Sequence, residues 1–116
     1  MKPLAIGDEI FQHLAGRWAL QILLSLRKGP MRFVDLRRAI PGVSANTLTT
    51  RLRELEAARL IERRLLPPPA AVQVYGLGGL GQGLRPSLEH LDSWRAELPA
   101  LVLDRDPGTM KNDACS

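Results

Sequence analysis

The chain has 116 residues, with 16 Lys+Arg against 12 Asp+Glu and a formal charge of +4. A length in this range holds one hydrophobic core and excludes most multidomain enzymes. At 45% hydrophobic, 24% charged and only 4% aromatic, the composition is globular rather than disordered or fibrous, with a core of Leu, Ile, Val and Ala. The single cysteine, Cys115, excludes an internal disulfide and a cysteine-based zinc cluster, and suits a reducing compartment. No apolar run approaches the roughly 20 residues of a membrane span. Met1-Lys2-Pro3, followed by Asp8 and Glu9, lacks the apolar stretch of a signal peptide, so the expectation is a soluble cytoplasmic protein.

The positive charge is uneven. Residues 1–31 sum to +2, residues 32–64 to +4 and residues 65–116 to −2. A basic middle segment suggests a polyanionic partner, although a solvated helical face produces the same cluster.

In chain order, Ile10, Phe11 and Leu14 follow helical spacing behind Asp8 and Glu9, and Gly16-Arg17 interrupts them. Trp18 to Leu26 is dense in apolar residues and reads as a helix buried on several sides, ended by Gly29-Pro30. Arg27 and Lys28 in its last turn complement the dipole. A third helix spans Phe33 to Ile40, where Phe33, Leu36, Arg37 and Ile40 form the i, i+3, i+4, i+7 stripe; this puts the Arg37 stem into the packing. Pro41-Gly42 stops it, and Ser44 caps a fourth helix running to about Ala58. At about 100° per residue, Leu48, Leu52, Leu55 and Arg59 share one narrow stripe, opposite Asn46, Thr49, Thr50, Arg53 and Ala57.

Leu60–Leu66 and Ala71–Leu77 read as two short strands around the stiff turn Pro67-Pro68-Pro69-Ala70. Leu80, Leu84, Leu88, Leu91, Trp94 and Leu98 mark a final amphipathic helix. Residues 1–103 form one domain, and residues 104–116, which have turn formers and no periodicity, read as a disordered tail. The fold class is mainly α with a small β-hairpin, a winged helix-turn-helix. Such a fold offers one helix to the major groove, and its N-terminal turns meet the base edges. Asn46 suits adenine, Arg53 suits guanine, and the methyls of Thr49 and Thr50 suit thymine. The threonines serve equally as solvent-facing filler.

Gly16-Arg17-Trp18 through Leu26, Gly29-Pro30-Met31-Arg32-Phe33-Val34-Asp35-Leu36 and Ile40-Pro41-Gly42-Val43-Ser44 resemble the HxlR-type winged-helix transcriptional regulators. So do Leu48-Thr49-Thr50-Arg51-Leu52-Arg53-Glu54-Leu55, Leu60-Ile61, Tyr75-Gly76-Leu77 and Gly81. The motifs occur in order over roughly residues 5–98. The resemblance implies a homodimer on a palindromic or near-palindromic operator, with N- and C-terminal dimerisation helices and no catalysis. A repressor is the commoner role. Ile10, Phe11, Leu14, Leu84, Leu88, Leu91 and Trp94 are then the dimer contacts, unless they seal the core of the single chain.

On that reading Asn46, Thr49, Thr50 and Arg53 read bases, while Arg32, Ser44, Thr47, Arg63 and Arg64 hold phosphates of double-stranded DNA. Arg51, on the flank of the fourth helix, has Glu54 and Glu62 as alternative partners. Departures from the family are specific. Ala5 stands where oxidant-sensing members carry a cysteine. The hairpin tip, Pro67 to Val72, lacks the usual arginine, and Gly78 replaces the threonine that caps the last helix. No cofactor or metal is expected; a small-molecule effector remains open.

Two other signals compete. Gly76-Leu77-Gly78-Gly79-Leu80-Gly81 matches the G-x-G-x-x-G of dinucleotide folds, and Leu101-Val102-Leu103-Asp104 could supply a strand ending in an acid. That fold needs a broad parallel sheet, which the helical residues upstream of Leu60 do not provide, and Pro86 falls early in the supposed phosphate-binding helix. His13 and His90, both on the presumed dimer helices, are isolated. The rival of another class is a winged-helix dimer serving protein interaction or ligand binding, with the polar helix merely solvated; the uncharged wing favours it.

Overall fold

The computed structural model describes residues 6–104. Helix α1 (Ile6–Gln12) runs into a 3-10 turn at His13–Ala15, followed by α2 (Ala19–Leu26), α3 (Phe33–Ala39) and α4 (Ala45–Ala57). Strands β1 (Ile61–Leu65) and β2 (Gln73–Leu77) form an antiparallel hairpin with Ile61 opposite Leu77 and Leu65 opposite Gln73. A short α5 (Gly79–Gln82) and a long α6 (Arg85–Asp104) close the chain. The expected tail, Cys115 and Ala5 lie outside the described residues, apart from Asp104, which ends α6.

Each boundary has a local cause. Gly16 turns extended and Trp18 takes a left-handed φ of 73°, which breaks the chain between the 3-10 turn and α2. The Trp18 ring lies under Arg17, 5.2 Å from guanidinium carbon to ring centroid. It also faces Gly42, whose φ of 90° is open to glycine and strained for a side chain. Between α3 and α4, Ser44 is the N-cap of α4, its hydroxyl accepting from the Thr47 amide at 3.1 Å.

Helix α4 ends in a Schellman turn: the Leu60 amide donates to the Leu55 carbonyl and the Arg59 amide to that of Glu56, both at 3.0 Å. The turn forces residue 59 to φ 65°, where glycine is the ordinary occupant. An arginine there costs about 1 kcal/mol. The wheel that puts Arg59 on the buried stripe is thus corrected: it extrapolates a helix that has already ended, and Arg59 is exposed.

The core is aliphatic and drawn from every layer. Ile22, Leu23 and Leu26 of α2 meet Leu36 of α3, Leu48, Leu52 and Leu55 of α4, Ile61 of β1, and Leu88 of α6. Met31, just before α3, exchanges two 2.8 Å backbone hydrogen bonds with Tyr75, adding a third edge to the hairpin and tying it to the helix-turn-helix. Arg37 is exposed, because the buried side of α3 is narrowed to Leu36 and the adjoining Ile40.

The final helix differs from the single run expected from Leu80. Leu80 lies on α5, and Pro86 takes the second position of α6, where its missing N–H has no intrahelical acceptor to lose. The helix continues through Pro99, leaving the carbonyl of exposed Arg95 to water. Residues 101–104 are helical rather than a strand.

The glycine run has a packing explanation. A Cβ on Gly81 would lie 2.0 Å from the Leu60 carbonyl oxygen, and one on Gly78 would lie 2.9 Å from that of Arg59. These two positions let α5 settle on the backbone entering β1. The G-x-G-x-x-G spacing therefore coincides with a steric need that has nothing to do with phosphate.

Candidate nucleic-acid interface

Helices α3 and α4, joined by the Pro41–Ser44 turn, make the helix-turn-helix, and the hairpin beside α4 is the wing. Burying Leu48, Leu52 and Leu55 leaves Asn46, Thr50, Arg53 and Ala57 as one exposed strip on the opposite side of α4. Asn46, Thr50 and Arg53 of the expected base-reading set share that strip. Thr49 is half-buried and turns toward the wing, lining a groove of about 130 Å³ with Arg53, Glu56, Arg63 and Tyr75.

The cations divide into paired and unpaired. Arg63 donates to Glu56 at 3.0 Å, bridging β1 to the last turn of α4. Its guanidinium is held more firmly protonated than usual, first by that hydrogen bond and then by the Glu56 charge. Arg64 pairs with Glu62 at 3.2 Å. Arg32 pairs with Asp35 at 2.9 Å; the hydrogen bond from Arg32 is the main reason the Asp35 carboxyl sits below the usual carboxylate range. Arg51 pairs with Glu54 and, with Glu54, lines a cleft beside the 3-10 turn. By contrast Arg37, Arg38 and Arg53 are exposed and make no ion pair among the described residues.

Of the expected phosphate set, Ser44 and Thr47 are occupied in capping, with a further 2.9 Å hydrogen bond between their hydroxyls. Arg32, Arg63 and Arg64 each already have an acidic partner. Arg37 and Arg38, on the first helix of the motif, have phosphate contact as the functional reading of their sequence position; Arg37, which the helical spacing puts into the packing, is exposed because the buried stripe of α3 is short. The wing tip from Pro67 to Ala71 is exposed and carries no charge.

Behind this face, Arg27 at the end of α2 is 11% exposed and grips α6 through Glu89 at 2.6 Å and Asp92 at 2.7 Å. The Arg85 guanidinium donates to the Arg27 carbonyl. The far side of α6 is an apolar strip, with Leu91 37%, Trp94 55%, Leu101 47% and Val102 61% exposed. Phe11 on α1 is 70% exposed, and Ile10, Phe11, Leu14, Leu60, Leu80 and Leu84 line an apolar groove of about 280 Å³. Leu88 belongs to the core at 1% exposure, so it is withdrawn from the expected interface set. His13 and His90 are exposed, and no metal-ligating cluster occurs among the described residues. None of the described helices is long and apolar enough to cross a membrane.

A helix-turn-helix with an adjoining wing defines the class: a mostly helical winged-helix protein. Comparison with known proteins narrows it. The family model described as HxlR-like helix-turn-helix matches residues 13–100, and the chain belongs to that family of transcriptional regulators. The HTH-type transcriptional regulator YtfH of Escherichia coli (strain K12) is 35% identical over 99 residues, covering 84% of this chain and 79% of YtfH. HTH-type transcriptional regulator YodB of Bacillus subtilis (strain 168) is 32% identical over 87 residues, covering 75% of this chain and 78% of YodB. Among solved structures, transcriptional regulator ytfH from Salmonella typhimurium superposes with a TM-score of 0.67 at 33% identity, covering 86% of this chain and 90% of that one. Quinone-bound YodB from B. subtilis gives 0.62 at 28% identity, covering 78% and 96%. Membership in this family implies DNA binding.

Proposed function

We propose that the chain is a homodimeric, sequence-specific repressor acting in the cytoplasm on a near-palindromic double-stranded operator. The observation that carries the reading is the exposed strip of α4, Asn46, Thr50 and an unpaired Arg53, together with exposed and unpaired Arg37 and Arg38 on α3. Asn46, Thr49, Thr50 and Arg53 read bases, Thr49 from the edge of the strip. Arg37 and Arg38 hold phosphates in the first instance. Arg32, Ser44, Thr47, Arg63 and Arg64 reach phosphates only where DNA displaces their present partners. The apolar strip of α6 and exposed Phe11 support dimerisation through Ile10, Phe11, Leu14, Leu84, Leu91 and Trp94. Two recognition helices then meet successive major grooves, about 34 Å apart. The quinone-bound structure of the similar protein YodB supports a small-molecule effector for this chain too.

The test is fluorescence anisotropy on operator and scrambled duplexes across salt. Affinity for the operator falls steeply between about 50 and 200 mM salt. Arg53→Ala costs roughly 1–3 kcal/mol, confined to one base position per half-site. Equal binding to every duplex, indifferent to Arg53, returns the protein to an interaction or ligand-binding role.

A further inference from the structure

The end of α4, the start of β1 and the start of α5 form an open cleft of about 430 Å³, lined among others by Glu56, Arg59, Glu62, Arg63, Gly79 and Leu80. That volume lies within the range of small-molecule sites. Its two carboxylates are already neutralised, Glu56 by Arg63 at 3.0 Å and Glu62 by Arg64 at 3.2 Å. One charge is left over: Arg59 is exposed and makes no ion pair or side-chain hydrogen bond among the described residues. Leu80, 46% exposed, supplies an apolar wall, and beside Gly79 nothing lies within 4 Å of where a Cβ would be.

Arg59 stands at the one position of the Schellman turn where glycine is favoured, at φ 65°. Its backbone contribution, accepting from the Leu80 amide at 3.2 Å, would be made equally well by glycine. What glycine cannot supply is the guanidinium. A strained residue whose side chain makes no ion pair or hydrogen bond among the described residues points to a partner from outside. DNA bases are a less suitable one, because the base-reading set ends at Arg53, four positions and about 6 Å of rise before the end of α4, and Arg59 stands beyond that end in the turn to β1.

We propose that this cleft binds a small organic monoanion, a carboxylate with a compact apolar body. Its carboxylate accepts from the Arg59 guanidinium and its body packs on Leu80. The ligand touches both ends of the Glu56–Arg63 bridge, so it changes how the wing sits against the recognition helix. Binding stands by itself; its effect on operator affinity rests on the DNA-binding reading above.

The experiment uses the full chain and phenylacetate, with neutral phenylacetamide as control, read by calorimetry and by thermal shift. Phenylacetate is expected to bind and raise the melting temperature, and phenylacetamide to bind about tenfold more weakly or not at all. Arg59→Gly relieves the strained φ, so the variant folds at least as stably as the parent while losing the phenylacetate response; Arg59→Lys keeps part of it. No phenylacetate binding to the parent chain overturns the proposal. So does equal binding of the amide, or an undiminished response in Arg59→Gly. Anisotropy on the operator with and without phenylacetate is a separate readout. If DNA is not bound at all, the function reading fails while the ligand site is judged on calorimetry alone.

Discussion

Two residues six positions apart on α6 separate core from interface. Leu88 is 1% exposed and Trp94 is 55% exposed, about 120° apart around the same helix. Truncating Leu88 to alanine opens a cavity against α2 and should cost about 2–5 kcal/mol of folding stability. Truncating Trp94 removes nothing from that core. A tryptophan carries roughly 200 Å², so the exposed half that a partner would cover is about 110 Å², or about 2.7 kcal/mol at 25 cal/mol/Å². A two-fold symmetric interface contains the ring twice. The loss doubles to about 5 kcal/mol, and the dimer dissociation constant should rise by between about 10³ and 10⁴. Sedimentation equilibrium measures that constant directly, and urea unfolding of Leu88→Ala measures the core term. A Trp94→Ala protein that dimerises as tightly as the parent would show that the α6 strip is not the interface.

Other consequences are independent of assembly. Gly81→Ala drives a Cβ to 2.0 Å from the Leu60 carbonyl, and should destabilise by about 1–3 kcal/mol or more in urea melts, whereas Gly79→Ala, with open space around it, should be nearly neutral. If the glycines instead served a nucleotide, both substitutions would abolish NADH binding and neither would need to affect stability. Ala70→Arg, on the exposed uncharged wing tip, should tighten duplex binding and steepen its log–log salt slope by about 0.9 if the wing lies along DNA; an unchanged slope places the wing away from the phosphates. The Asp92 carboxyl is held below its ordinary value, first by the hydrogen bond from Arg95, then by the charge of Arg27. Between the lowered folded value and the ordinary one near 3.9, the unfolded chain binds more protons, so stability rises with pH there. The contribution is complete above that window and lost as pH falls through it. Asp92→Asn should therefore flatten the acid limb of the stability curve, as followed by circular dichroism.

The helix-turn-helix was legible because its signals are local. Ser44 sits three residues before the amide it caps, and the Leu48, Leu52, Leu55 stripe lies within eight positions. Arg27 was not legible: its last-turn position reads as dipole complement, while its real partners, Glu89 and Asp92, lie 62 and 65 residues away. Arg59 was misplaced because a helical wheel has no end, and the glycine that usually marks the end of a helix is absent here. Arg32 is a different kind of miss. Its partner Asp35 is three residues on, and the ordinary i, i+3 pairing rule would have found it. Leu88 differs again. Its helical spacing with Leu84 and Leu91 is that of an amphipathic strip, and only the position of α2 decides which edge of the strip is covered.

The Arg27 contacts bear on how a dimer of this chain could measure DNA. In the proposed assembly α6 makes the two-fold contact and α4 reads the groove, so the spacing of the two α4 helices is set by everything rigid between them. Leu88 packs into the same core as α2, and α2 packs against α3, which leads through the capped turn at Ser44 into α4. Hydrophobic packing alone resists separation of α2 and α6 but is weakly directional against sliding. Arg27 supplies the missing direction: one largely buried fork held by carboxylates one helical turn apart, with its own carbonyl held by Arg85. The Glu56–Arg63 bridge does the same between α4 and the wing. Two charged links thus fix the framework around the recognition helix, one between α2 and α6 and one between α4 and the wing. The first joins α2, against which α3 packs, to the helix of the proposed dimer face; the second borders the Arg59 cleft. A ligand in that cleft would therefore act on the wing side of the recognition helix and leave the half-site spacing in place.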